Sequence, residues 1–412
     1  MELHPIIDDT TSELCKGICY VVSGHAKQPS FRVGHSCTQL ASVNAEPGKV
    51  YVIAGANPSE LFNDVHTLDP KSLQWERVVS SNEDTFLARY EHAAFSPACD
   101  PCKIYVFGGA NKEGNFNDVQ RFDTTTSKWE TVKVSGTAPH ARTCRSTANI
   151  GNKLYIYSGG MSGPDPISDT QVHSFDAETC SWTGLTLTGE PPEPRHGHIM
   201  CASGNRVFIH GGMGGVTFYN DLHVLDLDLL AWTKVKAGKH QPGPRAGHQA
   251  AVYGKKIYVF GGMCCSCQAL DDLYILDTDV MQWTKVELNG PPPAPRLDFT
   301  MAIVMLKLGE TPSVPSLDVH TDNAQAVSSS FQELNLEEGQ AFTAELPLKS
   351  EMVPSNTTAL EIATKLPSTN TEAAVVSPSP VSGHGTSVHV CMIFGGMDAE
   401  GEIFDDCLVM ML

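Results

Sequence analysis

The feature that most constrains this chain is a pattern repeated along its 412 residues. Tryptophans recur 50 to 54 residues apart, and each is followed three positions later by Val or Leu: Trp75, Trp129, Trp182, Trp232 and Trp283. Arginines form a second series, one ahead of the first tryptophan and one 13 or 14 residues after each: Arg32, Arg89, Arg142, Arg195, Arg245 and Arg296. A period of this length indicates a repeated supersecondary unit, and the repeat constrains the fold more strongly than any single strand or helix.

Each unit consists of short β-type runs. An apolar run ends in a pair of small residues, chiefly Gly-Gly, at residues 49–56, 103–109, 153–160, 206–212, 256–262 and 390–396. A second run ends in Asp in the first five units, at residues 63–69, 117–123, 169–176, 220–226 and 271–277. With 35 Gly and 26 Pro, the composition favours many short strands over long helices. Since one such sheet cannot bury its apolar faces alone, we expect the units to pack radially as a β-propeller.

The period near 50, with its glycine pair and spaced tryptophan, resembles the kelch repeat and is too long for the tryptophan-aspartate propeller repeat. The sixth unit ends after its third run, 404–410, with no tryptophan run. Cys19 lies 13 residues before Arg32, in the register of a tryptophan. The sequence therefore predicts an all-β, six-bladed kelch-type propeller whose last blade takes its fourth strand from the N-terminal run and so leaves no exposed edge.

The spacing of the glycine pairs rises to 134 residues at the last step, because residues 309–386 are inserted in blade 6. This segment is rich in Ser, Thr and Pro, and its apolar content is too low to offset the entropy of ordering it. We expect a disordered insertion. The remaining divisions are a flexible N-terminus at 1–17, the propeller at 18–308 and the last strands of blade 6 at 387–412.

The charge and the cysteine content restrict the class of protein. A net charge of −19 disfavours direct binding to nucleic acid or to anionic lipid. Residues 1–17 have neither the basic nor the apolar region of a signal peptide, and no run of 18 apolar residues is present. The odd number of cysteines, 13, then indicates reduced thiols. We expect a cytoplasmic monomer that does not insert into membranes.

Several motifs carry a more specific resemblance. They are RVGHSC at 32–37, GANPSELFNDVHTLD at 55–69, RYEHAAF at 89–95, PRHGH at 194–198, FIHGG at 208–212 and CMIFGGMDAEGEIFDDC at 391–407. With the six units and the polar insertion, the chain resembles the Rab effector proteins with kelch motifs over nearly all of its folded part. The resemblance implies a cytosolic propeller, peripherally associated with endosomes, that binds a late-endosomal Rab GTPase in its GTP form. It also implies a role in returning mannose 6-phosphate receptors to the trans-Golgi network.

Two sets of residues are candidates for a protein-binding face. The six repeated arginines fall in the connections between blades, where they either form a positive ring or pair with aspartates and carbonyls of the blades. Aromatic residues end the loops after the glycine pairs: Phe62, Phe116, Phe218, Tyr219 and Phe404. Each of these either packs on its own third strand or serves as an exposed anchor. Since both sets fall on the same face, we predict that this face binds the partner.

Other constellations give weaker signals. Histidines follow four of the arginines by three residues (His35, His92, His198 and His248), but they start separate blades and are not expected to hold a metal. Cys99, Cys102 and the Cys264–Cys267 cluster are interpreted as incidental thiols in turns. GMGGV at 212–216 lacks the ending of a phosphate loop. We expect a scaffold without catalysis, metal or cofactor. Two alternatives remain, a substrate receptor of a ubiquitin ligase and, with less support, a kelch-fold metalloenzyme.

Overall fold

The computed structural model of the chain describes residues 4–23, 27–42, 44, 46–309 and 386–411. Within them, six sheets form the blades of a propeller, each with four antiparallel strands, and two of the sheets carry a short fifth strand. The first strand of each blade is innermost, where it contacts the first strands of neighbouring blades. The predicted all-β, six-bladed fold is confirmed. The predicted insertion, apart from its end residues Gly309 and Thr386, lies outside the described residues.

The strands of the first three blades follow the repeat of the sequence. Blade 1 comprises Ser36–Gln39, Val50–Ala56, Leu61–Leu68 and Trp75–Val78. Blade 2 comprises Ala93–Phe95, Lys103–Phe107, Val119–Asp123 and Lys128–Thr131. Blade 3 comprises Ala148–Ile150, Lys153–Tyr157, Val172–Asp176 and Ser181–Gly184.

The last three blades repeat the same order. Blade 4 comprises Ile199–Ser203, Arg206–His210, Leu222–Asp226 and Ala231–Val235. Blade 5 comprises Gln249–Tyr253, Lys256–Phe260, Leu273–Asp277 and Gln282–Val286. Blade 6 comprises Thr300–Lys307, Ser387–Phe394, Cys407–Met411 and, from the other end of the chain, Cys19–Val22.

Short elements decorate the blades. Three small hairpins follow the glycine pairs of blades 2, 3 and 4: Ala110–Asn111 with Gly114–Asn115, Gly160–Ser162 with Asp165–Pro166, and Met213–Gly214 with Thr217–Phe218. Two-residue strands, Ile6–Ile7 and Ser135–Gly136, pair in parallel with the outer edges of blades 6 and 3. A 3₁₀ turn, Glu83–Thr85, precedes blade 2.

The hydrophobic core lies between the blades. Its six clusters of buried side chains correspond to the six contacts between neighbouring blades. Each fourth-strand tryptophan packs toward the preceding blade, as Trp129 of blade 2 does among Ile53 and Val65 of blade 1. The tryptophans recur because one large apolar group fills this contact in each of blades 1 to 5.

The closing strand is where the register of Cys19 placed it. Cys19 pairs with Met410 of blade 6 and is buried among side chains of blades 5 and 6, the place a tryptophan takes elsewhere. The predicted closure is therefore confirmed. In the segment 1–17, which was expected to be flexible, Ile6 and Ile7 instead form a fifth strand beside Cys19–Val22, and Ile7 is fully buried. The apolar pair covers the edge that the closing strand would otherwise expose.

Candidate protein-binding face

The repeated arginines are buried structural groups. All six are at most 1% exposed. Arg245 is typical, since its guanidinium donates to Oδ1 and Oδ2 of Asp272 at 2.6 and 3.0 Å and to the carbonyls of Gly261 and Gly243 at 3.1 Å each. The aspartate opens the third strand and the Gly261 carbonyl ends the second, so each arginine fixes the loop end of its own blade.

The same arginines link neighbouring blades through their main chain. In all six contacts, a glycine amide at or just after the end of the second strand of one blade donates to the arginine carbonyl of the next blade at 2.8–3.0 Å. Gly109 shows why glycine is needed, because its φ is 87° and a Cβ there would lie 2.7 Å from the Tyr90 carbonyl oxygen. Of the two alternatives for the arginines, the structure thus supports pairing with aspartates and carbonyls of the blades. They do not form an exposed positive ring.

Most of the predicted aromatic anchors cover these arginines. The guanidinium carbon of Arg32 lies 4.1 Å from the ring centre of Phe62, and three further pairs, Arg89 with Phe116, Arg195 with Tyr219 and Arg296 with Phe404, lie at 4.1–4.4 Å. Phe62 is buried, and Phe116, Phe218, Tyr219 and Phe404 are half-buried. Of the two alternatives left open for these residues, the structure favours packing within the blade over full exposure, because a buried cation attracts the ring onto itself.

Blade 3 departs from this pattern. Arg142 approaches Asp169 only to 3.6 Å, whereas His173 lies 2.6 Å from the same carboxylate. Ile167 takes the place of the aromatic residue. Its amide donates to the Gly159 carbonyl, as the Phe116 amide donates to the Gly109 carbonyl in blade 2. Arg142 therefore has the weakest set of partners among the six.

The exposed apolar side chains of this face are residues that the sequence did not single out. Met161 and Val216 lie on the small hairpins of blades 3 and 4 and are 53% and 94% exposed. Phe31 and Leu87, which are also exposed, lie in the connections to blades 1 and 2. The only sequence signal was an apolar residue within a glycine-rich turn, as in GMGGV, and it gives no indication of side-chain exposure.

The hairpins form one continuous surface. The Asn115 side-chain amide of blade 2 donates to the Met161 carbonyl of blade 3 at 2.8 Å, and the Gly215 amide of blade 4 donates to the Pro164 carbonyl of blade 3 at 3.1 Å. We call residues 110–115, 160–166 and 213–218 the hairpin row, and the side of the propeller that carries it the loop face. Apolar tips held on mutually bonded hairpins lose little entropy when a partner binds.

The histidines after the arginines lie inside the propeller. His92 is buried with its Nε2 2.9 Å from Ser36 Oγ of the neighbouring blade, and His35 makes the same contact with Thr300. Burial, with the charge of Arg89, lowers the pKa of His92 to about 3, so the ring is neutral at physiological pH. Cys99, Cys102, Cys265 and Cys267 are exposed free thiols. Among the described residues, no three His, Cys, Asp or Glu side chains are grouped as metal ligands.

Comparison with known proteins agrees with this architecture. A family model for the kelch-repeat domain of KLHDC2, KLHL20 and DRC7 matches residues 34–262 and 159–308. The chain is 42% identical to the Rab9 effector protein with kelch motifs of Mus musculus over 96% of this chain and 93% of that protein. The chain belongs to this family of kelch-motif proteins.

Other relatives carry the same name. The protein of Rattus norvegicus is 44% identical over 96% of this chain and 95% of its own length. The protein of Homo sapiens is 46% identical over 50% of this chain and 55% of its own length. As for membranes, the described residues include no helix long and apolar enough to span a bilayer.

Proposed function

We propose that the chain is an effector of a Rab GTPase of the Rab9 type and binds its GTP form through the loop face. The observation that carries the proposal is the likeness to proteins named Rab9 effectors along almost the full length of both chains. In this proposal the chain is a non-enzymatic monomeric scaffold. It stays in the cytoplasm, associates peripherally with endosomes through the GTPase, and supports return of mannose 6-phosphate receptors to the trans-Golgi network.

The loop face is favoured for a physical reason. GTP orders the switch loops of a Rab protein, so an effector must take most of its affinity from a surface that exists only in that state. A preformed patch meets such a surface at low entropic cost, and the hairpin row offers Met161 and Val216 on a bonded frame. On the opposite face, the turns between the third and fourth strands of blades 1 to 5 are alike, each closed by an Asp carboxylate such as that of Asp226.

The experiment measures affinity for Rab9 loaded with GDP or with a non-hydrolysable GTP analogue, by calorimetry. Met161→Ala and Val216→Ala are each expected to weaken binding of the GTP form by about 1–3 kcal/mol, because exposed apolar anchors contribute this much. The matched control is Leu229→Ala with Val280→Ala, exposed apolar residues in turns of the opposite face. Equal affinity for the two nucleotide states, or loss of binding only in the control, would overturn the proposal.

A further inference from the structure

The central channel opens on the loop face into a cavity of about 200 Å³. We call the residues two positions after the repeated arginines the collar: Gly34, Glu91, Cys144, Gly197, Gly247 and Asp298. All of them except Gly34 line the cavity. Five backbone hydrogen bonds join successive members of this collar, from Gly197 through Gly247 and Asp298 to Gly34, Glu91 and Cys144. Among the described residues, no such bond joins Cys144 to Gly197, so the collar is open between blades 3 and 4.

Two members of the collar carry carboxyl groups where the backbone favours glycine. Gly34, Gly197 and Gly247 have φ between 63° and 73°, in the left-handed region. Glu91 and Asp298 adopt the same region, with φ of 53° and 58°. A side chain in this conformation strains the backbone, so the surrounding structure must offset the cost at both acids.

The charges around the cavity do not balance. The Arg145 side chain is 8% exposed, and its Nη1 lies 2.6 Å from Oδ1 of Asp298, which pairs this cation with one of the two carboxylates. The second carboxyl group, that of Glu91, lines the same cavity. Its pKa is raised, first by burial and then by the charge of Asp298, while Arg145, a hydrogen bond from Thr143 and His196 act in the opposite direction. The cavity lining thus holds two carboxyl groups and one guanidinium, with His196 and His198 as its further basic side chains.

His198 provides an independent sign of a missing ligand. Its side chain lines the cavity and is 5% exposed, and neither ring nitrogen makes a hydrogen bond of good geometry, although the Arg195 backbone lies close enough to favour a ring proton. His35, His92 and His248, at the same place in other blades, each bond through Nε2. Burial, with the charge of Arg195, lowers the pKa of His198 to about 3, so its ring is neutral and one nitrogen is free to accept a hydrogen bond.

We propose that this cavity binds the end of one cationic side chain, a lysine or an arginine, presented by a protein partner. The cation would pair with Glu91, whose nearest guanidinium, Arg145, is bound to Asp298, and would donate to His198. The volume fits a side-chain end rather than a larger ligand, and the net charge of −19 attracts a basic group. The identity of the partner as a Rab GTPase rests on the proposed function, but the cationic site does not.

The test uses small probes and needs no GTPase. The whole chain, labelled with ¹³C and ¹⁵N at histidine, is titrated with n-butylammonium, n-butylguanidinium, n-butyrate and n-butanol while the His198 ring resonances are followed by NMR. Saturable shifts are expected with the two cations, and their relative affinities distinguish a lysine from an arginine site. Saturation by butyrate, an equal response to butanol, or no response to either cation would overturn the proposal.

Variants separate binding from folding. Glu91→Gln is expected to weaken cation binding at least tenfold. Glu91→Gly should abolish it while keeping or raising the melting temperature, because glycine relieves the left-handed strain. Glu113→Gln, at an exposed acid in the hairpin row, is the matched control and should leave binding unchanged. Unchanged cation affinity in Glu91→Gln would refute the site, whatever the result with Rab9.

Discussion

Replacing a buried arginine tests whether the guanidinium–carboxylate pairs hold the blades together. Arg245→Met keeps much of the side-chain volume but leaves the Asp272 carboxylate, which is 20% exposed, without its two guanidinium hydrogen bonds. Breaking a buried pair by removing one partner costs about 3–5 kcal/mol. The Gly261 carbonyl loses its donor as well, so we expect the free energy of unfolding to fall by an amount within that range.

Arg142→Met is the matched control. Arg142 is equally buried and also donates to two carbonyls, of His140 and Ser158, at 2.9 Å. Its carboxylate partner is 3.6 Å away, and Asp169 keeps His173 when the arginine is removed. We expect the free energy of unfolding to fall by about 1–2 kcal/mol, the cost of leaving the two carbonyls without donors. The difference between the two variants isolates the contribution of the carboxylate.

The assay is urea unfolding followed by tryptophan fluorescence, which is well suited because the tryptophans lie at the contacts between blades. A double-mutant cycle with Asp272→Asn measures the coupling directly, and the double variant should be more stable than Arg245→Met alone because no unpaired charge remains. Equal losses for Arg245→Met and Arg142→Met, or no coupling with Asp272→Asn, would refute the reasoning.

Three further predictions concern closure, the insertion and pH. Deleting residues 1–23 removes the fourth strand of blade 6, so the melting temperature should fall and aggregation rise; an unchanged melting curve would contradict this closure. Replacing residues 310–385 by a short Gly/Ser linker should leave the melting temperature nearly unchanged, since the cost of loop closure varies slowly with length; failure to fold would make the segment structural. Stability should fall as pH drops below about 6.5, by about 1.4 kcal/mol per pH unit for each buried histidine that gains a proton only on unfolding. The pKa of His92 is lowered to about 3, so its contribution to the free energy of unfolding is complete above pH 6.5 and is lost as pH falls toward 3. Denaturant unfolding at several pH values should therefore show, for His92→Gln, a free energy of unfolding that changes less per pH unit by that amount.

Much of the fold followed from the spacing of residues. The recurrence of tryptophan, arginine and paired glycine predicted six blades, and the register of Cys19 predicted the closing strand. These inferences succeeded because each repeated residue answers the same packing need in every blade, so the period itself carries the information. The N-terminal segment was misjudged because Ile6 and Ile7 are too short a run to indicate a strand, and only the neighbouring edge makes them one.

The candidate site was less accessible to sequence reasoning. Phe116 and Tyr219 stand in loops where exposed anchors are common, and the sequence does not reveal that a buried guanidinium lies beneath each ring. Met161 and Val216 were overlooked, since exposure depends on which hairpins support one another. The sequence indicates which face of the propeller a residue lies on, but not whether its side chain is exposed or buried there.

The sequence by itself determined the number of blades, the strand order within each blade and the face on which the loops gather. Tertiary structure alone decided which charges are compensated. Arg145 and Asp298 are 153 positions apart in the sequence and meet only across the central channel, leaving Glu91 and His198 facing a cavity. Strand patterns arise from contacts between near neighbours and repeat with the chain, whereas the electrostatic balance of a channel depends on residues that only the closed ring brings together.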